Sequence, residues 1–329
     1  MSSARTVLVD SALAARRLDV ALADALALSR RYAQRLLARG DVRIDGRPAS
    51  KGDTLPLGAR IEIPPFRHPS EGVLASPDRP LHVIAAAHGL VAVDKPASEP
   101  CHGIDFDDAD SLVSAFVARY PSARAVGIGT LEGPLVHRID PGTSGVVVLA
   151  TDAGAHGAAR HAFARGDVRK EYLARVHGAL AGDRRVELSL ESAGTRMRVV
   201  RAGGRRAITE IRVLETDAES SLLTVTIPTG VRHQIRATLA HLGHPVVGDH
   251  TYGSSVALTG PQPRHLLHAA RIELTGLHAR SAPPEELRVS GAERHGTRPP
   301  SPTSGAPERD PEPPLRQLPQ LRQLRQRRG

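Results

Sequence analysis

From Arg17 to Leu28 the apolar residues Leu18, Ala21, Leu22, Ala25 and Leu26 recur at helical spacing. Ser29 is placed to cap a second helix and Gly40 to end it. In that second helix Ala33, Leu36 and Leu37 can face inward, while Arg31, Arg35 and Arg39 stand four apart as one basic stripe. Val42 and Ile44 then alternate with polar residues up to Asp45-Gly46, a strong two-residue hairpin signal, and Ile61 and Ile63 close the unit. A helix, a basic helix and a small sheet are thus expected over residues 14–64.

Pro64, Pro65, Pro69, Pro77 and Pro80 sit in a stretch with little apolar periodicity, so residues 65–80 read as a linker. A second domain is expected over 81–287. It opens with two short apolar runs, Leu81 to Ala85 and Leu90 to Val93, split by His88-Gly89 as in a hairpin. The run Val146 to Ala150 reads as a buried strand, and Asp152 can cap a helix that runs to Arg165 and stops at Gly166. Val186 to Leu190, Met197 to Arg201, Ala207 to Leu214 and Leu222 to Ile227 are strand candidates, and His265 to Leu274 reads as a final strand. The expected class is α+β: a small N-terminal module, then a mixed, largely antiparallel sheet flanked by helices. Residues 288–329, rich in Pro and ending in a Leu-Arg-Gln repeat, have no apolar face and are expected to be disordered.

Composition narrows the function. With 40% hydrophobic residues in 329, the chain can bury a core without metals or disulfides. The one cysteine, Cys101, excludes a disulfide framework and a multi-cysteine zinc site. No apolar run reaches membrane-spanning length, and MSSARTVLVD lacks a signal-peptide pattern, so a soluble, cytoplasmic protein is expected. A net charge of +9 favours a polyanionic partner, nucleic acid first, although part of the excess lies in the last residues. Four Tyr, four Phe and no Trp leave little for extensive base stacking, so a single tyrosine near a site matters more. His233, His241, His244 and His250 have no carboxylate or thiol cluster to complete a tetrahedral set, so no metal is expected.

The densest chemistry lies at His137-Arg138-Ile139-Asp140-Pro141-Gly142-Thr143-Ser144-Gly145, a polar turn directly before the Val146 to Ala150 run. Asp140 is therefore expected on a loop held by a rigid strand, beside Arg138. A nearby arginine favours the ionised carboxylate and fixes its direction, as suits a nucleophile or base. The same spacing also fits a surface loop with a local ion pair. A hydrolase with His137 as base to Asp140 is a further reading, but no Ser or Cys elbow accompanies it.

HRIDPGTSGVVVLATD resembles the signature of the RluA-type family of pseudouridine synthases, in which the Asp of this turn, here Asp140, is catalytic. RRLDVALADALALSRRYAQRLLARGDVRIDGRPASKGDTL resembles the small RNA-binding domain named after ribosomal protein S-four, which would make Arg31, Arg35 and Arg39 the RNA-facing side. LVAVDKPASEPCH is similar to the family's opening motif, with Lys95 a candidate phosphate contact, though Ser98-Glu99-Pro100-Cys101 departs from the usual spacing before His102. KEYLARVHG resembles the segment whose tyrosine, here Tyr172, lies against the target base. IPTGVRHQIRATLAHLGHPVVGDHTYG resembles the third segment, so Arg236 would pair with Asp140. Val231 stands where an arginine is usual and Arg232 follows one place later, in a role of RNA or loop support.

The resemblance implies cleavage of a nitrogen glycosidic bond, rotation of the uracil and rejoining through carbon five, with no cofactor. Asp140 could attack or deprotonate the ribose, or attack the base. Arg138 would fill the gap left by the flipped nucleotide. It implies an RNA partner, large-subunit ribosomal RNA foremost, a monomer and no membrane. The rival of another class is a non-catalytic RNA-binding or ribosome-assembly factor, which would keep the arginine stripe but not need Asp140.

Overall fold

The computed structural model describes residues 4–254, 264–274 and 276–289. Positions 290–329, most of the expected tail, lie outside the described residues. The first helix, α1 (Leu18–Ala25), is shorter than its apolar periodicity suggests. Ala27 turns left-handed (φ 53°), and the Leu28 N–H reaches back to the Ala23 carbonyl at 2.8 Å, a helix-ending pattern that needs no glycine. The second helix, α2 (Arg30–Ala38), starts where expected: the Ser29 side chain accepts the Tyr32 N–H at 3.2 Å. Buried Asp19 on α1 accepts from Arg30 (3.0 Å) and Gln34 (2.7 Å), which clamps the two helices together.

Four short strands complete this part in the order β1 (Arg5–Leu8), β4 (Arg60–Ile63), β2 (Arg43–Ile44), β3 (Arg47–Pro48). Asp45 and Gly46 both take positive φ, as the two-residue hairpin requires. Strand β1 precedes the expected start at residue 14. It is mostly exposed and shows no alternating apolar face by which to recognise it.

The arginine stripe divides. Arg31 is exposed and Arg35 half-buried, and among the described residues neither has an ion-pair partner. Arg39 instead turns to the second domain, where its Nη2 lies 2.6 Å from Asp105 and 2.7 Å from Asp107. The Tyr32 ring meets Phe106 edge-on beside it, with centroids 5.4 Å apart. Arg39 therefore helps dock the module, a correction to its expected RNA-facing role. The stretch 65–80 is also packed: Phe66 is fully buried, and the backbone N–H groups of Leu74 and Ser76 bond the carbonyls of Phe106 and Ser114.

The second domain is a ten-stranded sheet. Its order is β10 (Arg196–Val200), β9 (Arg184–Ala193), β11 (Arg205–Thr216), β12 (Ser220–Thr226), β8 (Arg169–His177), β13 (Leu267–Leu274), β7 (Ser144–Ala150), β6 (Leu90–Lys95), β5 (His82–Ala87). Strand β14 (Leu277–Arg280) pairs with the far half of β13. Among the described residues every ladder is antiparallel except β13 with β7, which run parallel at His268 and Ala269. Helices α3 (Leu112–Arg119), α4 (Ala153–Arg165) and α5 (Gln234–His241) flank the sheet. Helix α4 has the expected Asp152 cap and a left-handed Gly166 stop. The fold is thus mixed α+β and mostly antiparallel.

The β7–β13 crossing positions the loop before β7. Gly145 sits there at φ +107°, and a Cβ on it would lie 2.3 Å from the Ala269 carbonyl oxygen, so only glycine fits. Strand β13 also separates β7 from β8, with Tyr172 of β8 opposite Ala269. The loop carrying Asp140 and the strand carrying Tyr172 thereby face one space.

Candidate active site

The loop from His137 to Thr143 is tied down along its length. Cys101 Sγ donates to the Ile139 carbonyl (3.3 Å), Ser98 N–H to the Pro141 carbonyl (2.8 Å), and Thr143 N–H closes a turn onto the Asp140 carbonyl (3.0 Å). Thr143 Oγ1 also meets His265 Nε2 at 2.8 Å. Lys95 is fully buried, and its ammonium donates to three carbonyls: Pro96 (2.7 Å), Glu99 (2.7 Å) and Pro141 (3.0 Å). With all three donors used, it has none for a phosphate, a correction to its expected role. It staples the Asp140 loop to the turn after β6. Burial pushes its pKa down to about 8.

Asp140 emerges from this scaffold into a cavity of about 830 Å³ that Arg138, Lys170, Tyr172, His233 and Arg236 also line. Arg236, buried on α5, donates from Nη1 to Asp140 Oδ2 at 2.7 Å. Its other edge is engaged twice by Asp249, Nε to Oδ2 at 2.6 Å and Nη2 to Oδ1 at 2.8 Å. One guanidinium thus serves two carboxylates, in a two-point contact with Asp249 and a single bond with Asp140. Burial pushes the Asp249 carboxyl up, but the Arg236 hydrogen bonds outweigh it and hold the group below the usual carboxylate range. The Arg236 guanidinium also lies 5.3 Å from the Tyr252 ring centroid.

Tyr172 is buried on the cavity wall, and among the described residues its hydroxyl has no hydrogen-bond partner. Burial, with the Asp140 charge second, pushes its pKa up, so it remains a neutral phenol. Arg138 stands at the mouth, its side chain 56% exposed, tethered by Nη1 to Glu132 (3.0 Å) and His102 (3.3 Å). His137 is not aimed at Asp140. Its Nε2 accepts the Val148 N–H (3.1 Å) and its ring stacks on Phe163 (5.0 Å), while burial pushes its pKa down to about 3. A His137 base for Asp140 therefore has no geometric support. Arg232 donates to the Gly194 carbonyl (2.9 Å) at the β9–β10 turn, so it supports a loop.

Sequence reasoning assigned no role to Asp249, His233, Tyr252 or Lys170. The first three lie in the long segment around Arg236, and each meets its partner only through folding. Lys170 faces the cavity from β8, donates to the Thr229 carbonyl (3.1 Å) and lies 5.5 Å from the Phe163 centroid. Among the described residues no group of three or more His, Cys, Asp or Glu could hold a metal ion.

Residues 89–241, which hold Asp140, Tyr172 and Arg236, match the model of the RNA pseudouridylate synthase family, and residues 16–61 match that of the S4 domain. The ribosomal large subunit pseudouridine synthase D of Xanthomonas campestris pv. campestris is 33% identical over 260 residues, 78% of this chain and 77% of that protein. The chain belongs to the RNA pseudouridylate synthase family. An RNA pseudouridine synthase of Chloroflexus aurantiacus is similarly related, 36% identical over 84% of this chain and 87% of that one. The solved structure of human RNA pseudouridylate synthase domain containing 1 has the same fold, with a TM-score of 0.50 and 23% identity over 64% of this chain and 86% of that one. This synthase therefore joins a pseudouridine synthase domain to an N-terminal S4 domain, and its partner is RNA.

Proposed function

We propose that the synthase isomerises specific uridines in large-subunit ribosomal RNA, with Asp140 as its catalytic carboxylate. The observation that carries the assignment is the position of Asp140: on a tethered loop, at the wall of a cavity, with Oδ2 held by a buried arginine and Oδ1 unclaimed by that bond. A fixed carboxylate with one free oxygen suits attack on, or proton removal from, the nucleotide beside it. Tyr172 packs the uracil, and exposed Arg138 fills the space from which the nucleotide is drawn. The name of the Xanthomonas relative supports the ribosomal substrate. On this reading residues 14–64 grip RNA, 81–287 carry the reaction, and the synthase acts as a cytoplasmic monomer.

Mapping pseudouridines in ribosomal RNA from a strain lacking the gene tests the proposal. The expected result is loss of one or more large-subunit positions, restored by the wild-type gene and not by Asp140→Asn. An unchanged large-subunit map would refute the assigned substrate.

The divided stripe gives a further expectation. Replacing Arg31 and Arg35 with Gln should weaken RNA binding and lower the salt slope by roughly 0.7 to 0.9 of a unit for each lost phosphate contact. Arg39→Gln should leave the slope unchanged and lower the melting temperature, because its partners are Asp105 and Asp107. Binding measured from low to moderate salt, together with thermal unfolding, checks both.

A further inference from the structure

The Asp140 oxygen left free by Arg236 faces a histidine. His233 Nε2 lies 3.8 Å from Asp140 Oδ1, on the same cavity wall. The backbone there is unusual: His233 takes φ 51°, ψ 21° at the N-cap of α5, a left-handed conformation that costs a non-glycine residue about 1 kcal/mol or more. The side chain does not repay this by capping the helix, since it makes no cap hydrogen bond. It points into the cavity and meets Tyr252, ring centroids 5.8 Å apart and edge to face.

One tautomer of His233 fits this hydrogen-bond pattern and also turns a donor toward Asp140. The Met197 N–H donates to Tyr252 Oη at 2.7 Å, and His233 Nδ1 lies 3.1 Å from the same oxygen. With that acceptor site occupied by a backbone donor, the tyrosine proton is free to go to Nδ1. A neutral His233 then carries its own proton on Nε2, the nitrogen that faces Asp140.

We propose that His233 is a positioning residue of the synthase: its Nε2–H, fixed by Tyr252, donates to Asp140 Oδ1 when RNA fills the cavity, and orients the oxygen that reacts. The inference rests on the assignment of Asp140 as the catalytic carboxylate. Catalytic hydrogen bonds that are long in the free enzyme commonly tighten around substrate. Arg236 and His233 would then hold one oxygen each, leaving Asp140 a single orientation. The groups facing His233 are Asp140 from its loop, Arg232 and Arg236 from the entry and body of α5, Asp249 and Tyr252 from the following turn, and His265 from the approach to β13. Burial lowers the His233 pKa and Asp140 opposes that shift, so the imidazole is neutral near pH 7 and gains a proton on acidification. A protonated His233 would pair with Asp140 and slow the reaction.

Two substitutions separate the backbone from the chemistry. Asn tolerates the left-handed conformation, and its short amide can reach Tyr252 but not Asp140. Gln extends an N–H donor to about the place of Nε2 and does not titrate. Single-turnover rates at saturating enzyme are read from pH 5 to 8 as tritium release from unmodified large-subunit ribosomal RNA labelled at uridine C5. His233→Asn should lower the rate about 10- to 100-fold, the range for loss of a hydrogen bond to a charged group, with RNA affinity and melting temperature nearly unchanged. His233→Gln should recover most of that loss and flatten the acid side of the profile. A wild-type rate in His233→Asn, or a Gln variant no faster than the Asn variant, overturns the inference. Asp140→Asn is measured alongside: if it retains turnover, the underlying assignment fails, whereas an inactive Asp140→Asn with a fully active His233→Asn sinks only the role of His233.

Discussion

Asp140→Asn is expected to abolish pseudouridine formation while leaving the protein at least as stable as before. The substitution keeps the shape of the side chain, and its amide oxygen can still accept the Arg236 Nη1 hydrogen bond now made to Oδ2. What disappears is the negative charge, and with it the ability to attack or to take a proton. Stability should not fall, because Arg236 serves two carboxylates; removing one charge leaves a matched pair with buried Asp249. RNA affinity should change by no more than about threefold, the effect of one modest hydrogen bond. Tritium release, a binding isotherm and a melting curve on one preparation check all three. Turnover retained in the variant would remove Asp140 from the reaction; a lost melting transition would show that the carboxylate holds the loop instead.

Arg236→Met should have the second-largest effect, and on two observables together. It leaves Asp249 buried and uncompensated, at a cost of about 3–5 kcal/mol, and frees Asp140 to swing. Single-turnover rates should fall by at least about a hundredfold, since small misplacements of a reacting group have effects of that order. Arg236→Lys should rescue stability in part but the rate only weakly. An ammonium can neutralise Asp249, but it cannot hold both its oxygens in a planar fork and reach Asp140 with a third donor. Should Arg236→Met prove too unstable to assay, Asp249→Asn probes the same linkage with the shape kept. It should slow turnover by loosening Arg236, with RNA affinity intact. Variants that lose affinity but keep the wild-type single-turnover rate would mark Arg236 as a phosphate clamp.

These two expectations depend on different layers of the molecule. Asp140 was legible as a candidate because local chemistry surrounds it in sequence: a turn rich in Gly, Pro, Ser and Thr, then a β-branched run that becomes β7. Its partner Arg236, 96 residues away, was expected only through the family resemblance, and the second carboxylate on that arginine, Asp249 a further 13 residues on, was not legible. The Asp249 carboxylate looks like an ordinary turn residue until α5 packs above it.

The sequence by itself determined the elements whose signals are short-range. The Ser29 and Asp152 caps, the Asp45-Gly46 and His88-Gly89 hairpins and the Gly166 stop each depend on a few neighbouring dihedral angles, and all appear in the structure. It also carried the mixed, mostly antiparallel class through the spacing of its strands. Apart from the Arg236–Asp140 pair implied by the resemblance, only tertiary structure decided which charges meet. Arg31, Arg35 and Arg39 are equivalent by helical period, yet Asp105 and Asp107 claim the last. Lys95 resembles a surface lysine in a Pro-rich turn, yet three carbonyls converge on its ammonium. The physical reason is range: capping and turn formation are settled within a few residues, whereas the partner of a charged side chain is set by whichever group the packed core brings within about 3 Å.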